Sequence, residues 1–369
     1  MKHETLIRRS VYAVGCAVAM SCSVAIGCAA NADTAGAGGA QATGSPSSTA
    51  SSASTSSSSS STGELDAGSG VGGGMEGPLL IYAHTDDTLF RLDPESDGLT
   101  LTQVGTFDCV ADESVEAMTD FAVDKSEKLW GISAYAVHAL LGEGTSVQCG
   151  QQIGLQGLPQ DPRFYGLTFA PIGVIDPAKE VLVAGNTQGQ LWAVGEGGAL
   201  TLRGNFGTVP DDDGQGHDYA VTHRGELFAL SGDIVFLANN GSPVGFATVR
   251  DCADVTQPST CNEDDTLIEI DVSKLSNMNN ANESVRKSIR GKIVKREGCA
   301  DGTTGAVGEY GHMYGIAAWK DKVYGFSRKG NIVEIDTDDG TACGVVANTG
   351  KKFAGAGVTT LAPIVPVPE

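Results

Sequence analysis

One stretch of the sequence shows the pattern on which the fold prediction rests. It is Val323-Tyr324-Gly325-Phe326-Ser327-Arg328-Lys329-Gly330-Asn331-Ile332-Val333-Glu334-Ile335-Asp336. It contains two short apolar runs that are separated by a turn rich in Gly and Asn. Runs of this length with a turn of this kind predict two antiparallel strands. The same arrangement recurs along the chain, so the stretch is one copy of a repeat.

Three kinds of run make up this repeat. The first has an aromatic residue before a small one, as in Leu129-Trp130-Gly131-Ile132 and Leu227-Phe228-Ala229-Leu230. The second alternates and often ends in Asp, as in Leu89-Phe90-Arg91-Leu92-Asp93 and Leu267-Ile268-Glu269-Ile270-Asp271. The third precedes the first by a tight turn, as in Asp120-Phe121-Ala122-Val123 and Asp218-Tyr219-Ala220-Val221. A four-stranded unit of about 45 residues that recurs in this way predicts an all-β fold, the β-propeller.

We expect five blades. Four of them are predicted over residues 118–154, 164–206, 218–296 and 314–348. Residues 79–107 supply three strands and residues 354–362 a fourth, so the C-terminal strand is expected to complete the first blade and remove an open sheet edge. The segment 233–265 is expected to be an insertion or to contain a further blade, which would make six.

The chain resembles the broad group of extracytoplasmic bacterial propellers whose repeats contain a strand of the Leu-Tyr-x-Ile-Asp type. Here this strand is Leu89-Phe90-Arg91-Leu92-Asp93 and its copies. The resemblance covers most of residues 79–362 and implies an architecture. It implies no activity, because the group includes enzymes, sugar-binding proteins and assembly scaffolds.

The first 27 residues have the features of a secretory signal peptide, with Lys2, Arg8 and Arg9 before an uncharged apolar stretch. The stretch closes with Ala25-Ile26-Gly27-Cys28, which resembles the lipobox of bacterial lipoproteins. The resemblance implies a lipid on Cys28, and Ala29 after it implies the outer membrane. Cys16 and Cys22 are alternative lipidation sites, and cleavage near Ala29 or Ala30 would instead release a soluble secreted protein.

Residues 28–77 are mainly Ser, Gly, Ala and Thr. Such a segment cannot bury enough apolar surface to offset the entropy of ordering, so we predict a disordered tether. The propeller domain is predicted over 78–364, with a short tail over 365–369.

The chain has nine cysteines, of which six follow Cys28. An even number in an exported chain predicts disulfides. The repeat suggests Cys109 with Cys149, Cys299 with Cys343, and, across a short loop, Cys252 with Cys261. A zinc site is not expected because the sequence contains no Cys-x-x-Cys pair.

The balance of 24 basic against 45 acidic residues gives a net charge of -21, which argues against a nucleic-acid partner. One basic run, residues 286–296, stands out; it is predicted to be a solvated outer strand, or a place where an acidic partner or anionic glycan docks. The acidic clusters 211–213 and 336–339 are predicted to form turns, with calcium as an alternative role and no other cofactor expected.

Small ligands of propellers bind where the innermost strands begin, so the residues at those positions are candidates for a funnel site. They are Asp120, Arg163, Tyr165, His217, Asp218, His312 and Tyr314. Their alternative role is to hydrogen-bond neighbouring blades and fix the register between them. The sequence assigns no catalytic residue.

Two functions are consistent with these features. The first is a lipid-anchored, extracytoplasmic propeller that is not an enzyme and binds or scaffolds an envelope or extracellular protein or glycan. The alternative is a carbohydrate-active hydrolase or lyase with its site in the funnel. The sequence contains no Gly-x-Ser-x-Gly or His-Glu-x-x-His motif, which favours the first function.

Overall fold

The structure is a computed structural model. It describes residues 80–363 apart from 97, 113–114, 144, 159–162, 240–241, 278–281 and 321. The predicted signal peptide, Cys28, the tether and the tail therefore lie outside the described residues. None of the helices in the described ranges is long and apolar enough to cross a membrane.

An eight-stranded sheet contains both ends of the described chain. Its strands are β1 (Ile81–His84), β2 (Thr88–Leu92), β3 (Leu101–Phe107), β4 (Asp120–Val123), β5 (Leu129–Ser133), β6 (Ala136–Glu143), β7 (Ser146–Gly154) and β20 (Gly355–Gly357). Their order is β20-β1-β2-β3-β7-β6-β5-β4. All neighbours are antiparallel except β3 and β7, which pair in parallel over two residues each. The short helix α1 (Asp108–Ala111) follows β3.

The other three sheets have four strands each, in simple antiparallel order. The second sheet contains β8 (Phe164–Ala170), β9 (Val181–Asn186), β10 (Gln190–Val194) and β11 (Leu200–Asn205). The third contains β12 (Ala229–Asn239), β13 (Ser242–Arg250), β14 (Thr266–Ile270) and β15 (Arg286–Lys292). The fourth contains β16 (Met313–Trp319), β17 (Lys322–Ser327), β18 (Ile332–Ile335) and β19 (Ala342–Val346). Short 3-10 turns lie at Glu196–Gly198, Pro258–Thr260 and Val272–Lys274.

Five strands form a closed ring at the centre. In this ring β4 contacts β8, β8 contacts β12, β12 contacts β16, β16 contacts β20, and β20 contacts β4. The molecule is therefore an all-β propeller, as predicted. The C-terminal strand β20 pairs with β1, with Gly355 opposite His84, so the expected pairing of the two chain ends is present.

The segment 233–265 differs from its prediction. It is not an insertion, because most of β12 and all of β13 lie in it, and these strands pair antiparallel as the first two strands of the third sheet. The predicted strand over Asp218–Val221 is instead part of the connection that leads to β12. The aromatic pattern at Tyr219 resembles that of β4, whereas the strand itself begins at Ala229, within the next apolar run.

The apolar core lies between neighbouring sheets. One cluster, for example, joins Phe206 and Leu191 of the second sheet region to Phe236 and Ile268 of the third. All three predicted disulfides are present: Cys109 with Cys149, Cys252 with Cys261, and Cys299 with Cys343. The first joins the helix after β3 to β7, so it crosslinks the two halves of the eight-stranded sheet.

The two ends of the sheets differ in what they carry. At one end the central strands begin and the second strands end, as shown by the pairs Met313 with Ser327 and Phe164 with Asn186. We call this end the mouth face. At the opposite end the chain enters β1 after Leu80 and leaves β20 towards Pro363, whose carbonyl accepts a hydrogen bond from the backbone N–H of Lys320.

Gly355 allows the ring to close. A Cβ atom at this position would strike Asp120 Oδ1 and His84 Nε2, which are buried at the axis. We therefore expect Gly355→Ala to destabilise the domain by about 1 to 3 kcal/mol, because a packed site cannot accept another methyl group without shifts.

Gly154→Ala is the matched control, because a Cβ there meets open space at the end of β7. Its effect should stay within about 0.5 kcal/mol. Denaturant unfolding of both variants measures the difference, and equal stabilities would contradict this account of ring closure.

Candidate functional site

Two carboxyl groups meet at the axis of the ring. Asp120 is on β4 and Asp233 is on β12, and both are completely buried. The two strands are not neighbours, since β8 lies between them in the ring. Their side chains are nevertheless in hydrogen-bond contact. The pair therefore crosses the axis and fills it at this level.

The carboxyl pair also accepts hydrogen bonds from the other central strands. Asp120 Oδ2 accepts from the backbone N–H of Leu167 on β8. Asp233 Oδ2 accepts from the N–H of Ile316 on β16 at 2.9 Å, and the Asp233 carboxylate accepts from Ala356 on β20. All five central strands thus either contribute a carboxyl group or donate to one.

One member of the pair must hold a proton. Burial raises the pKa of Asp120 well above its usual range, and the charge of Asp233 raises it further. Burial also raises the pKa of Asp233. Asp233 receives several N–H donors, which favour its charged form, whereas Oδ1 of Asp120 accepts from no donor among the described residues. The proton therefore belongs on Asp120, which donates to Asp233.

His84 lies beside this pair and is neutral. Burial lowers the pKa of His84 to about 4. Its Nδ1–H donates to the carbonyl oxygen of Thr85 at 2.7 Å, so Nε2 carries a lone pair and lies 3.8 Å from Asp120 Oδ1. No imidazolium is available here to neutralise the carboxyl pair. Asp120 accepts a hydrogen bond from the neighbouring strand β8, which is the kind of contact that its alternative role requires.

Four of the candidate funnel residues lie above the axis, on the mouth face. His312 and Tyr314 are in contact, with ring centroids 5.9 Å apart and the phenol oxygen 3.4 Å from His312 Nδ1. Arg163 hydrogen-bonds Tyr165 at the start of β8. These side chains are half-buried or exposed, unlike Asp120.

Two arginines connect these groups. The guanidinium carbons of Arg250 and Arg328 lie 5.9 and 6.0 Å from the ring centroid of Tyr314. Arg328 is held by two hydrogen bonds to Asp86, at 2.6 and 2.8 Å, and it lies within electrostatic range of Tyr165. Arg250 Nε is 3.7 Å from Oδ1 of the buried Asp265.

Tyr135 extends this group towards β5 and β6. Its side chain is 55% exposed, and it lies within electrostatic range of Arg163. We call the side chains of Tyr135, Arg163, Tyr165, Arg328 and Tyr314 the mouth row. The row combines aromatic and guanidinium groups, which are the types enriched in protein–protein contact sites.

Tyr135, Arg250 and Arg328 were not among the candidates predicted from the sequence. Each lies at or just after the end of a second strand, and the turns that follow second strands share the mouth face with the starts of the central strands. The order of strands in the repeat was enough to predict that these turns lie on the mouth face. Asp233 was also missed, although Gly232-Asp233-Ile234-Val235 places Asp before an apolar run as Asp120 does.

His217 and Asp218 are not part of this group. His217 Nδ1 is 2.7 Å from Oδ2 of Asp213, and Asp218 is exposed. Between them and the sheet lies Tyr219, whose hydroxyl is 3.3 Å from that of Thr266 on β14 and whose ring is 4.8 Å from the Lys292 ammonium. The segment therefore packs on the third and fourth strands of its sheet.

The acidic clusters form turns. Asp213 and Asp212 accept hydrogen bonds from the backbone of residues 214, 215 and 217. Asp336 and Asp339 accept from residues 338 and 341 in the same way. Within the described ranges, one group of three potential metal ligands converges, Asp108 with Cys109 and Cys149, and both cysteines are in a disulfide.

The basic run forms internal contacts. Lys287 and Arg290 pair with Glu269. Lys295 pairs with Asp301 and Arg296 with Asp336. Arg286 lies over Phe228 and Lys292 over Tyr219. All six bases are thus engaged within the domain.

No family model matches this sequence, and no curated protein does. The chain is similar in structure to a Bacteroides caccae protein of unknown function, with 9% identity, a TM-score of 0.30, and coverage of 76% of this chain and 98% of that one. It is also similar to the Dos1 propeller, with 10% identity, a TM-score of 0.30, and coverage of 72% and 54%. A third similar structure is BamB from Moraxella catarrhalis, with 10% identity, a TM-score of 0.28, and coverage of 72% of this chain and 68% of that one. Likeness at this level carries no information on what the chain binds.

The carboxyl pair makes stability depend on pH. Because burial raises the pKa of Asp120 in the folded state, its contribution is complete below the ordinary value of 3.8 and is lost as the pH rises through the folded-state pKa. In Asp120→Asn the amide can donate to Asp233 without a bound proton. We therefore expect the wild type to lose stability relative to Asp120→Asn as the pH rises, by up to about 1.4 kcal/mol per pH unit.

Denaturant unfolding of both proteins between about pH 4 and pH 8 tests this expectation. Asp233→Asn is the comparison variant. It places an amide against N–H donors and should be destabilised by about 1 to 3 kcal/mol for each unsatisfied group. Parallel pH profiles for the wild type and Asp120→Asn would contradict the shared proton.

Proposed function

We propose that this protein is a lipid-anchored, extracytoplasmic propeller of five blades that binds a partner protein through its mouth face and is not an enzyme. The observation that carries the proposal is the placement of polar groups along the axis. The carboxyl pair is buried, whereas the acids of a catalytic funnel would have to be open to solvent and substrate. The accessible aromatic and guanidinium groups lie above the pair.

The proposed count of five blades divides the eight-stranded sheet between β3 and β7, the two neighbours that pair in parallel. Each half then has four antiparallel strands and contributes one strand, β20 or β4, to the central ring. The parallel pairing between β3 and β7 joins only Thr106 with Ser146 and Phe107 with Val147. A contact of this length connects the outer strands of two blades without merging them.

Three carboxylates of the mouth face are engaged in ways that do not suit hydrolysis. Glycoside hydrolysis needs two carboxyl groups, an acid and a base or nucleophile, facing a substrate cleft. Asp86 is held by Arg328, Glu263 contacts both His312 and Lys329, and Asp265 is buried. These contacts favour a rigid binding surface over a reactive one.

The position of the chain ends suits a tether. The chain enters the domain at the end opposite the mouth face, where Leu80 precedes β1. A lipid on Cys28 followed by a flexible segment of about 50 residues would therefore hold that end towards the membrane, at a root-mean-square distance of about 35 to 40 Å. The mouth face would point outward, towards partners.

Lipidation of Cys28 has a direct test. In cells that carry lipoprotein-processing enzymes, the wild type should incorporate labelled fatty acid and fractionate with membranes. Cys28→Ser should lose both properties, because serine cannot form the thioether. Cys22→Ser is the control and should keep them. Loss of label in Cys22→Ser, or labelled Cys28→Ser, would contradict this anchor.

Photo-crosslinking tests the binding face. A photoreactive phenylalanine analogue is placed in the full-length chain at position 135, on the mouth face, or at position 172, which is 47% exposed in the connection between β8 and β9 at the opposite end. We expect a protease-sensitive adduct from position 135 and none from position 172. Adding Arg163→Ser should reduce the adduct by about tenfold, because a hot-spot arginine contributes at least about 1.4 kcal/mol.

Three results would contradict the proposal. They are equal adducts at both positions, no adduct at position 135, and an adduct that resists protease but is removed by glycosidases. The last result would show a glycan ligand on the same face. Thermal unfolding of each labelled protein confirms that the comparison concerns folded chains.

A further inference from the structure

A cavity of about 530 Å³ opens beside the mouth row. Its walls come from the turn between β1 and β2, from Phe90 and Gln103 on the neighbouring strands, and from the connection that contains Lys351 and Lys352. Asp86 contributes to the wall and also holds Arg328 of the mouth row. The cavity and the row therefore form one continuous surface.

Lys351 and Lys352 line the cavity, and Arg163 of the mouth row lies within electrostatic range of Glu116 in its wall. The Lys351 ammonium lies 5.0 Å from the ring centroid of Phe90 and is half-buried. Among the described residues no carboxylate forms an ion pair with Lys351, Lys352 or Arg163, whereas Arg328, Arg250 and Lys329 each have one. A cation on an aromatic ring keeps its charge available to a ligand.

Two aromatic rings of this surface, those of Tyr314 and Phe90, are covered by cations and are not available for sugar stacking. Carbohydrate rings pack on exposed aromatic faces. The ring of Tyr314 has two guanidinium groups over it, and that of Phe90 has the Lys351 ammonium. The free cations and the guanidinium groups that remain suit carboxylates and backbone carbonyl groups instead.

We propose that the cavity and the mouth row bind an acidic peptide segment of the partner protein, with its carboxylates paired to Lys351, Lys352 and Arg163. This inference rests on the proposed binding role of the mouth face and specifies its partner. The protein as a whole has a net charge of -21 and repels such a segment.

Electrostatic screening by salt limits the distance over which the acidic protein repels such a segment. At physiological ionic strength charges act over about 8 Å, so the charged groups that line the cavity, and not the net charge of the protein, decide binding there. Asp87 and Glu116 also line the cavity. A peptide carboxylate placed next to them would be repelled, so these two acids restrict the positions at which a ligand can carry its charges.

The test is direct binding of fluorescent oligopeptides to the full mature chain. An oligo-glutamate peptide should bind, while an oligo-lysine peptide and a Gly-Ser peptide of equal length should not. The double variant Lys351→Gln and Lys352→Gln should weaken binding about tenfold or more, and Arg163→Gln should weaken it further. Lys351→Arg keeps the charge and should keep most of the affinity.

Lys179→Gln is the matched control. Lys179 is exposed in the connection between β8 and β9, away from the mouth face, and is paired with Glu196, so its loss should leave affinity unchanged. Absence of oligo-glutamate binding, or equal loss in Lys179→Gln, would overturn the inference. Stronger binding of oligogalacturonate than of oligo-glutamate would also overturn it, in favour of an acidic glycan.

The proposed function fails separately from this inference. A protein adduct at position 135 that depends on Arg163, in a protein that does not bind oligo-glutamate, would leave the binding face intact and reject only the acidic partner. Absence of any adduct would reject the binding face itself. Unfolding curves of each variant show whether a loss of binding reflects a loss of fold.

Discussion

The hydrogen bond between Asp120 and Asp233 is the contact on which the centre of this molecule depends. It joins strands that are not neighbours in the ring, and the same two carboxyl groups accept backbone donors from the remaining central strands. Burying two carboxyl groups is costly unless they share a proton and find donors. Here both conditions are met, and the need to meet them restricts how the central strands can be arranged. The strands can close only in the register that supplies these donors.

The buried carboxyl pair separates two levels of side chains near the axis. Side chains at the start of the central strands divide into two levels. Asp120 lies at the buried level, with His84 and Gly355 packed against it, while Tyr165 and Tyr314 lie above it. The guanidinium groups of Arg250 and Arg328 then cover the Tyr314 ring, and Asp86 fixes Arg328 in place. These contacts hold the accessible side chains in place, so the binding surface that we propose would lose little side-chain entropy on binding.

Charge is distributed unevenly over this surface. The basic run on β15 carries the highest density of positive charge in the sequence, yet its side chains pair within the domain. Arg163 and Lys351, which form no ion pair with a carboxylate in the part of the chain that is described, lie instead at isolated positions in connections. A count of charges along the sequence could not separate these two cases, because pairing depends on contacts between distant residues such as Arg296 and Asp336.

The sequence was enough to predict the repeat, the all-β propeller, the pairing of the chain ends and the three disulfides. The fold follows from local periodicity, two disulfides follow from spacing at the period of the repeat, and the pairing of Cys252 with Cys261 follows from the short loop between them. It also selected Arg163, Tyr165, His312 and Tyr314 as residues at the starts of central strands. It did not locate β12, since Tyr219 imitates the pattern of a central strand and Asp233 lies within a segment that looked like an insertion. Which acids are buried, and which of the described cations form no ion pair with a carboxylate, could be seen only in the folded protein. Burial and pairing depend on neighbours brought together from several sheets, and these neighbours leave no periodic signal in the chain.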